Sequence, residues 1–288
     1  MPEGMTGLVH KYLRHDKKFP HIWCPGCGNG IVLGSLIRAI DRLGLDKDKV
    51  ALVSGIGCSG RMTTYADFST LHTPHGRALT YATGLKLSRE ELTVIVIMGD
   101  GDATAIGGNH YIHAARRNVD MTAIIVNNQI YGMTGGQYSP TTPYGSMTTT
   151  SPYGMVEHAF DISALAVAAD ASYVARGTVY HAALLDQLIE SAIRKKGFSS
   201  VEVLSNCHTQ FGRRNKMSSP VKMLEWFKEN AVRVQATATM KPEELEGKFI
   251  IGVLADSERP SYNEEYKKVR ELARARSTAP RPPARCEG

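Results

Sequence analysis

Short, uninterrupted apolar runs alternate along this chain with longer segments of helical periodicity. Leu92-Thr93-Val94-Ile95-Val96-Ile97-Met98 is one such run, and Met121 to Val126 is the next. β-Branched runs of this length, bounded by glycine and polar residues, read as strands buried on both faces. The first breaks into Gly99-Asp100-Gly101-Asp102 and the second into Asn127-Asn128-Gln129-Ile130-Tyr131-Gly132, with 25 residues between Gly101 and Asn127. That interval holds one helix and a strand. The pattern therefore predicts a parallel βαβ unit whose two polar bursts share the ligand-facing edge of a sheet.

The rhythm continues on both sides. Leu33, Leu36, Ile37, Ile40 and Leu43 form the apolar stripe of an amphipathic helix, with Arg38, Asp41 and Arg42 opposite. Val50 to Ser54, Ser172 to Ala175 and Ser200 to Leu204 read as strands. Ala78 to Leu87, Ile162 to Ala169, Ala182 to Lys195, Val221 to Asn230 and the charged Glu264 to Ala275 read as helices, and Phe249 to Leu254 is an apolar patch. The Ser/Thr/Pro/Tyr stretch from Gln137 to about Tyr153 has no periodicity. Directly after the second polar burst, so long a loop predicts a lid or substrate loop. Residues 1–20 read as a polar, irregular arm and 21–260 as one α/β domain, a mostly parallel sheet with helices on both faces. Residues 261–288 read as a helix followed, from Ser277, by a disordered Pro- and Arg-rich tail.

Composition narrows the class. A chain of 288 residues, 42% hydrophobic and 22% charged, suits a soluble enzyme with one large α/β core. No apolar run reaches the length of a membrane span and the first residues lack a signal-peptide core, so the expected location is the cytoplasm. Of the formal charge of +6, residues 259–288 carry +4, from eight basic and four acidic side chains. An excess concentrated in a tail argues against nucleic-acid binding; docking of an acidic electron carrier is the more useful reading.

The polar bursts carry candidate chemistry. Asp100 offers a carboxylate, Asn128 an amide oxygen and Ile130 a backbone carbonyl, and hard oxygens in small number suit Mg²⁺ shared with a phosphorylated ligand. Gly99 and Gly101 let the backbone approach phosphate, and the following helix offers free amides. This Gly-Asp-Gly with Asn-Asn at the stated spacing resembles the thiamine diphosphate enzymes; the bland alternative is two ordinary turns.

Five cysteines in such a chain point to metal or redox chemistry rather than disulfides. Cys24 and Cys27 lie in Trp23-Cys24-Pro25-Gly26-Cys27-Gly28-Asn29-Gly30, Cys58 in Gly55-Ile56-Gly57-Cys58-Ser59-Gly60-Arg61, and Cys207 in Ser205-Asn206-Cys207-His208. Three loops can thus bring four thiolates to the sheet edge. A thioredoxin-type dithiol is one reading of Cys24 and Cys27, weakened by the other two cysteines. Four thiolates fit tetrahedral zinc or an iron–sulfur cluster, and spacing alone does not separate the two. Cys286, in the tail, reads as a free thiol. His75, just ahead of a helix, faces a ligand or caps that helix.

With these motifs placed, residues 20 to 260 resemble the β subunits of 2-oxoacid:ferredoxin oxidoreductases. Cys-Pro-Gly-Cys-Gly, Gly-Ile-Gly-Cys-Ser, His-Gly-Arg-Ala, Gly-Asp-Gly-Asp and Asn-Asn-x-x-Tyr-Gly-x-Thr carry the resemblance together. It implies a [4Fe-4S] cluster on Cys24, Cys27, Cys58 and Cys207, and Mg²⁺ on Asp100, Asn128 and the Ile130 carbonyl. It implies thiamine diphosphate contacts from Ile56, Gly57, Cys58, Ser59, His75, Gly76, Gly101, Asp102, Gly132, Met133 and Thr134. The implied reaction is reversible, coenzyme A-dependent oxidative decarboxylation of a 2-oxoacid with electrons passed to ferredoxin. Met133-Thr134-Gly135-Gly136-Gln137 looks like the 2-oxoglutarate-type members, and Arg61 is the candidate partner for that substrate's distal carboxylate. Such enzymes also need a carboxylate against the aminopyrimidine ring, on a second domain for which this chain has no room; a partner α subunit is expected to bring it. The competing readings are the same chemistry on pyruvate or a branched-chain 2-oxoacid, a cluster-free thiamine decarboxylase or synthase, and a non-enzymatic zinc module.

Overall fold

A strand covered on both faces can be apolar at every position, which is why the uninterrupted runs become the centre of a sheet. The computed structural model describes residues 5–16 and 20–278 and places eight strands in one sheet. They are β1 (Val50–Ser54), β2 (Ser69–His72), β3 (Thr93–Gly99), β4 (Met121–Asn127), β5 (Tyr173–Thr178), β6 (Phe198–Leu204), β7 (Ala231–Arg233) and β8 (Phe249–Asp256). Their spatial order is β2-β1-β3-β4-β6-β5-β8-β7. The first six in that order are parallel, β8 is antiparallel to β5, and β7 is parallel to β8.

The two-residue period of a strand divides each run between two cores. In β3, Ile95 and Ile97 join Leu52, Ile124 and Val126 on one face. Val94, Val96 and Met98 join Val53, Ala123 and Ile125 on the other. The first face is covered by helices Asn29–Arg42 and Ala182–Arg194. The second is covered by Ala78–Ser88, Gly108–Arg117 and Ile162–Ala168. This is the α/β architecture expected from the sequence.

Topology fixes where a ligand goes. After β1 the chain turns outward to β2, whereas after β3 it crosses in the opposite direction to β4. The loops that follow β1 and β3 therefore diverge at the carboxyl ends of adjacent strands, opening a crevice. Pairing of β6 with β4 brings the loop containing Cys207 to the same edge.

Several details differ from the sequence reading. β2 was not anticipated; its four residues lie at the sheet edge, mostly exposed, and carry no apolar run. β7, of three residues, was also missed. The segment after Gly101 starts as a π-helical turn, Asp102–Ile106, before Gly108–Arg117. The amino-terminal arm is not irregular: Met5–Tyr12 is a helix, and Leu8, Tyr12 and Leu13 are buried. The Tyr12 hydroxyl donates to Asp41 at 2.8 Å, tying that helix to Asn29–Arg42, and the four-residue spacing of Leu8 and Tyr12 was its sequence signal. Ser277, expected to begin the disordered tail, lies inside helix Tyr262–Thr278. Residues 279–288, Cys286 among them, lie outside the described residues. No helix among the described residues is long and apolar enough to cross a membrane.

Candidate active site

The loop after β4 is shaped by a charge hidden in β6. Glu202 is buried, and its Oε1 accepts from Asn127 Nδ2 at 2.8 Å. Its other oxygen accepts from Ser163 Oγ at 2.6 Å and Arg176 Nε at 2.8 Å. Held in this way, Asn127 offers its Oδ1 to the Gln129 amide at 3.2 Å, and Gln129 takes a left-handed conformation with φ 63°. The turn that results aims the Asn128 side chain and the Ile130 carbonyl at Asp100. The Asn128 amide oxygen stands 2.7 Å from the Ile130 carbonyl oxygen and 3.3 Å from Asp100 Oδ1. Oxygens this close repel unless something positive lies among them. A reversed amide would supply that as an N–H donor; a cation would do so with the oxygens left as they stand.

Asp100 is gripped from its other side. Its Oδ2 accepts from the Ser139 hydroxyl at 2.5 Å and the Thr141 hydroxyl at 2.6 Å, while Thr142 donates to the Gln129 carbonyl at 2.6 Å. The long loop after Gln137 is thus fastened to the same carboxylate. Burial pushes the Asp100 carboxyl above the usual carboxylate range, and these hydroxyls oppose the shift. Asp102 is raised by burial as well. Its Oδ1 accepts from the Gly76 amide at 2.7 Å and lies 2.8 Å from His75 Nδ1, while its Oδ2 is buried without a partner. Gly55 has no room for a side chain because a Cβ would fall 1.8 Å from that oxygen. At Gly101 a Cβ would fall 2.3 Å from the Tyr131 ring, whose hydroxyl donates to the Gly101 carbonyl at 2.9 Å. The glycine is needed for the approach of Tyr131, not only for room at a phosphate.

These loops enclose a cavity of about 600 Å³. Ile56, Gly57, Cys58 and Ser59 form one wall, and His75 with Gly99 to Asp102 forms the floor. Asn128, with Ile130 to Thr134, forms the facing wall. Gln137, Tyr138 and Thr150 of the long loop also line it. Among the described residues, no lysine or arginine lines it.

A second cavity, of about 290 Å³, abuts the first and is lined by Cys24, Cys27, Cys58 and Cys207. Cys58, Asn128, Gly132 and Met133 belong to both walls. Thr209 Oγ1 sits 3.7 Å from the Cys24 sulfur and 3.9 Å from the Cys207 sulfur. The Cys58 carbonyl accepts from Trp23 Nε1 at 2.7 Å, and Asn206 Nδ2 donates to the Gly26 carbonyl at 2.9 Å, so each cysteine loop is pinned to another. A Cβ on Gly28 would lie 2.3 Å from Ser205 Oγ, which explains that glycine. All four thiols are free, and they ring a space rather than a point. Among the described residues, no three His, Cys, Asp or Glu side chains are placed to hold one metal ion.

Comparison with known proteins agrees with this geometry. Residues 55–203 match the thiamine pyrophosphate enzyme family, C-terminal TPP binding domain. The 2-oxoglutarate synthase subunit KorB of Methanothermobacter marburgensis is 54% identical over 250 residues, 87% of each chain. The KorB subunit of Methanocaldococcus jannaschii is 48% identical over 259 residues, covering 90% of this chain and 96% of that one. The chain belongs to the 2-oxoacid:ferredoxin oxidoreductase β-subunit family. A solved member, the 2-oxoglutarate:ferredoxin oxidoreductase of Magnetococcus marinus with 2-oxoglutarate, coenzyme A and succinyl-CoA bound, has a TM-score of 0.81. It is 34% identical and aligns over 92% of this chain and 90% of that chain.

Most residues named from the sequence meet in these two cavities. Gly76 does not line either, but its amide holds Asp102. Arg61 also lies outside both linings, half-buried on the turn after Cys58. Sequence reasoning missed the second layer: Ser139 and Thr141 on Asp100, and Glu202 with Asn127 and Arg176 behind the turn. A lone glutamate within the apolar run of β6 was the legible signal for the latter.

The thiols make a chemical expectation. Burial, with the neighbouring Cys27, Cys207 and Cys24, pushes the Cys58 thiol up to about 11, and reactivity follows the thiolate. In metal-free protein at pH 8, iodoacetamide should therefore label Cys58 about tenfold or more slower than exposed Cys24. Labelling of Cys58 should rise with pH toward 11, as peptide mass spectrometry would follow. Equal labelling rates at pH 8 would contradict this picture of the cavity.

Proposed function

We propose that the chain is the β subunit of a 2-oxoglutarate:ferredoxin oxidoreductase, forming succinyl-CoA and CO₂ from 2-oxoglutarate and coenzyme A with two electrons passed on to ferredoxin. The observation that carries this reading is the shared wall between an oxygen-lined cavity and a thiol-lined one, with Cys58 in both. The residues fit the groups the family implies. Asp100, Asn128 and the Ile130 carbonyl would hold Mg²⁺; with two buried carboxylates and no lysine or arginine among the described residues of the lining, the cation would supply the counter-charge for an anionic diphosphate. Four thiols around a space of this size suit a [4Fe-4S] cluster better than one zinc ion. When bound, thiamine diphosphate supplies the carbon nucleophile for loss of CO₂ and the cluster supplies a one-electron exit.

The chain's own contribution is placement. Ile56 to Ser59, Gly101, Asp102 and Gly132 to Thr134 would flank the diphosphate, and His75 faces the same cavity. The Gln137–Thr150 loop would exclude water over the reacting carbon. Among the described residues Asp100 and Asp102 are the only carboxylates in the lining, and they lie together after β3. The group that engages the aminopyrimidine ring must come from a partner subunit, which makes the site an interface. Co-purified with that partner, the chain should reduce a viologen dye on addition of 2-oxoglutarate and coenzyme A. Alone it should not, and turnover by the isolated chain would defeat the interface reading.

Arg61 is offered as the contact for the substrate's distal carboxylate. It lies near enough to Cys58 and His72 to influence both electrostatically, and no carboxylate among the described residues pairs with it. Loss of one charge-assisted contact corresponds to roughly 10- to 100-fold in affinity. Arg61→Ala should raise KM for 2-oxoglutarate by that order and leave any pyruvate turnover unchanged. Equal effects on the two substrates would remove Arg61 from this role.

A further inference from the structure

The cysteine cavity opens to solvent on one side only partly screened by the chain. Cys24 is exposed, while Cys27, Cys58 and Cys207 are half-buried. The segment that wraps the exposed side runs from Cys207 into helix Pro220–Asn230. A Cβ on Gly26 would lie 2.8 Å from the Pro220 ring and 3.8 Å from His208 Cε1, so this segment packs directly on the Cys24–Cys27 turn. Its charge is one-sided. Between Glu202 and Glu225 the sequence holds Arg213, Arg214, Lys216 and Lys222 and no aspartate or glutamate.

These cations are not used to hold the fold together. Arg214 is engaged with Gln210 at 2.7 Å, but Arg213, Lys216 and Lys222 are exposed, and no ion pair joins them to the described residues. Elsewhere exposed basic side chains are often paired, as Arg194 is with Glu190 or Lys268 with Glu265. The helix beginning at Pro220, capped by the Ser219 hydroxyl, adds the positive end of its dipole at the same place. The basic residues of helix Tyr262–Thr278, by contrast, lie at the other edge of the sheet. That helix starts against Asn118, just before β4, and Arg270 lies near Glu90, just before β3.

We propose that Arg213, Lys216 and Lys222 form the docking surface for a small acidic electron-carrier protein, seated over the exposed Cys24 side of the thiol cavity. The proposal rests on the reading of that cavity as a cluster site. One electron leaves the cluster and one-electron reduction of the carrier balances it, with no bond made or broken. Shortness of path selects this face, because the thiols reach the surface here. Unpaired positive charge selects an acidic partner, and it would speed encounter in a salt-dependent way.

The test uses the complete enzyme, this chain with its partner subunit, carrying Arg213→Glu, Lys216→Glu and Lys222→Glu together. A neutral counterpart carries Gln at the same three positions. An acidic iron–sulfur carrier protein and a viologen dye serve as alternative acceptors. The KM for the carrier is expected to rise about tenfold or more in the Glu variant and less in the Gln variant, with flattened salt dependence and unchanged dye turnover. Carrier affinity measured by calorimetry without substrate should fall in the same order, independent of turnover. Unchanged carrier affinity in both variants would overturn the proposal, whatever the dye rate. A raised KM for coenzyme A with unchanged carrier affinity would also overturn it, assigning the cations to the nucleotide phosphates. If the unaltered enzyme reduces neither acceptor, the cluster reading itself fails, a result distinct from either of these.

Discussion

Two carboxylates buried in a cavity whose wall holds no lysine or arginine among the described residues set the problem that the rest of this structure solves. Burial disfavours their charged forms, and a diphosphate would add more negative charge to the same space. Hydroxyl and amide donors offset part of that cost, from Ser139 and Thr141 on Asp100 and from Gly76 on Asp102. Asn128 and the Ile130 carbonyl face Asp100 in the same space, an arrangement that either a reversed Asn128 amide or a cation among the oxygens relieves.

Rigidity for that arrangement comes from the sheet. Glu202 cannot move without breaking bonds to Asn127, Ser163 and Arg176, and Asn127 in turn fixes the left-handed turn at Gln129. Gly101 and Tyr131 bring the turns after β3 and β4 into contact. Cys58 sits where the same crevice meets the thiol cavity, so the topology that opens the first cavity also places the four thiols next to it. Both follow from one reversal of strand order between β1 and β3.

The centre of the fold was legible because buried parallel strands write themselves as continuous apolar runs. The candidate ligands were legible because Gly-Asp-Gly, Asn-Asn and the turns holding Cys58 and Cys207 follow those runs, while Cys24 and Cys27 declared themselves by their own spacing in a glycine-rich turn. Less could be read where the signal is not local. Edge strand β2 is short and largely exposed, and the amino-terminal helix shows few apolar positions. Ser139, Thr141 and Glu202 act on residues 39, 41 and 75 positions away, a distance that no periodicity encodes. Arg61 stands on the turn after Cys58, outside the lining of both cavities.

The most direct test of the account is an anaerobic absorption spectrum of this chain purified with its partner subunit, before and after 2-oxoglutarate and coenzyme A. A broad visible charge-transfer band that bleaches on their addition is the expected result, since it requires a cluster on the four thiols and electrons arriving from the neighbouring cavity. A colourless protein, anaerobic and supplied with iron and sulfide, would contradict the assignment of the thiol cavity and leave a cluster-free thiamine enzyme in its place.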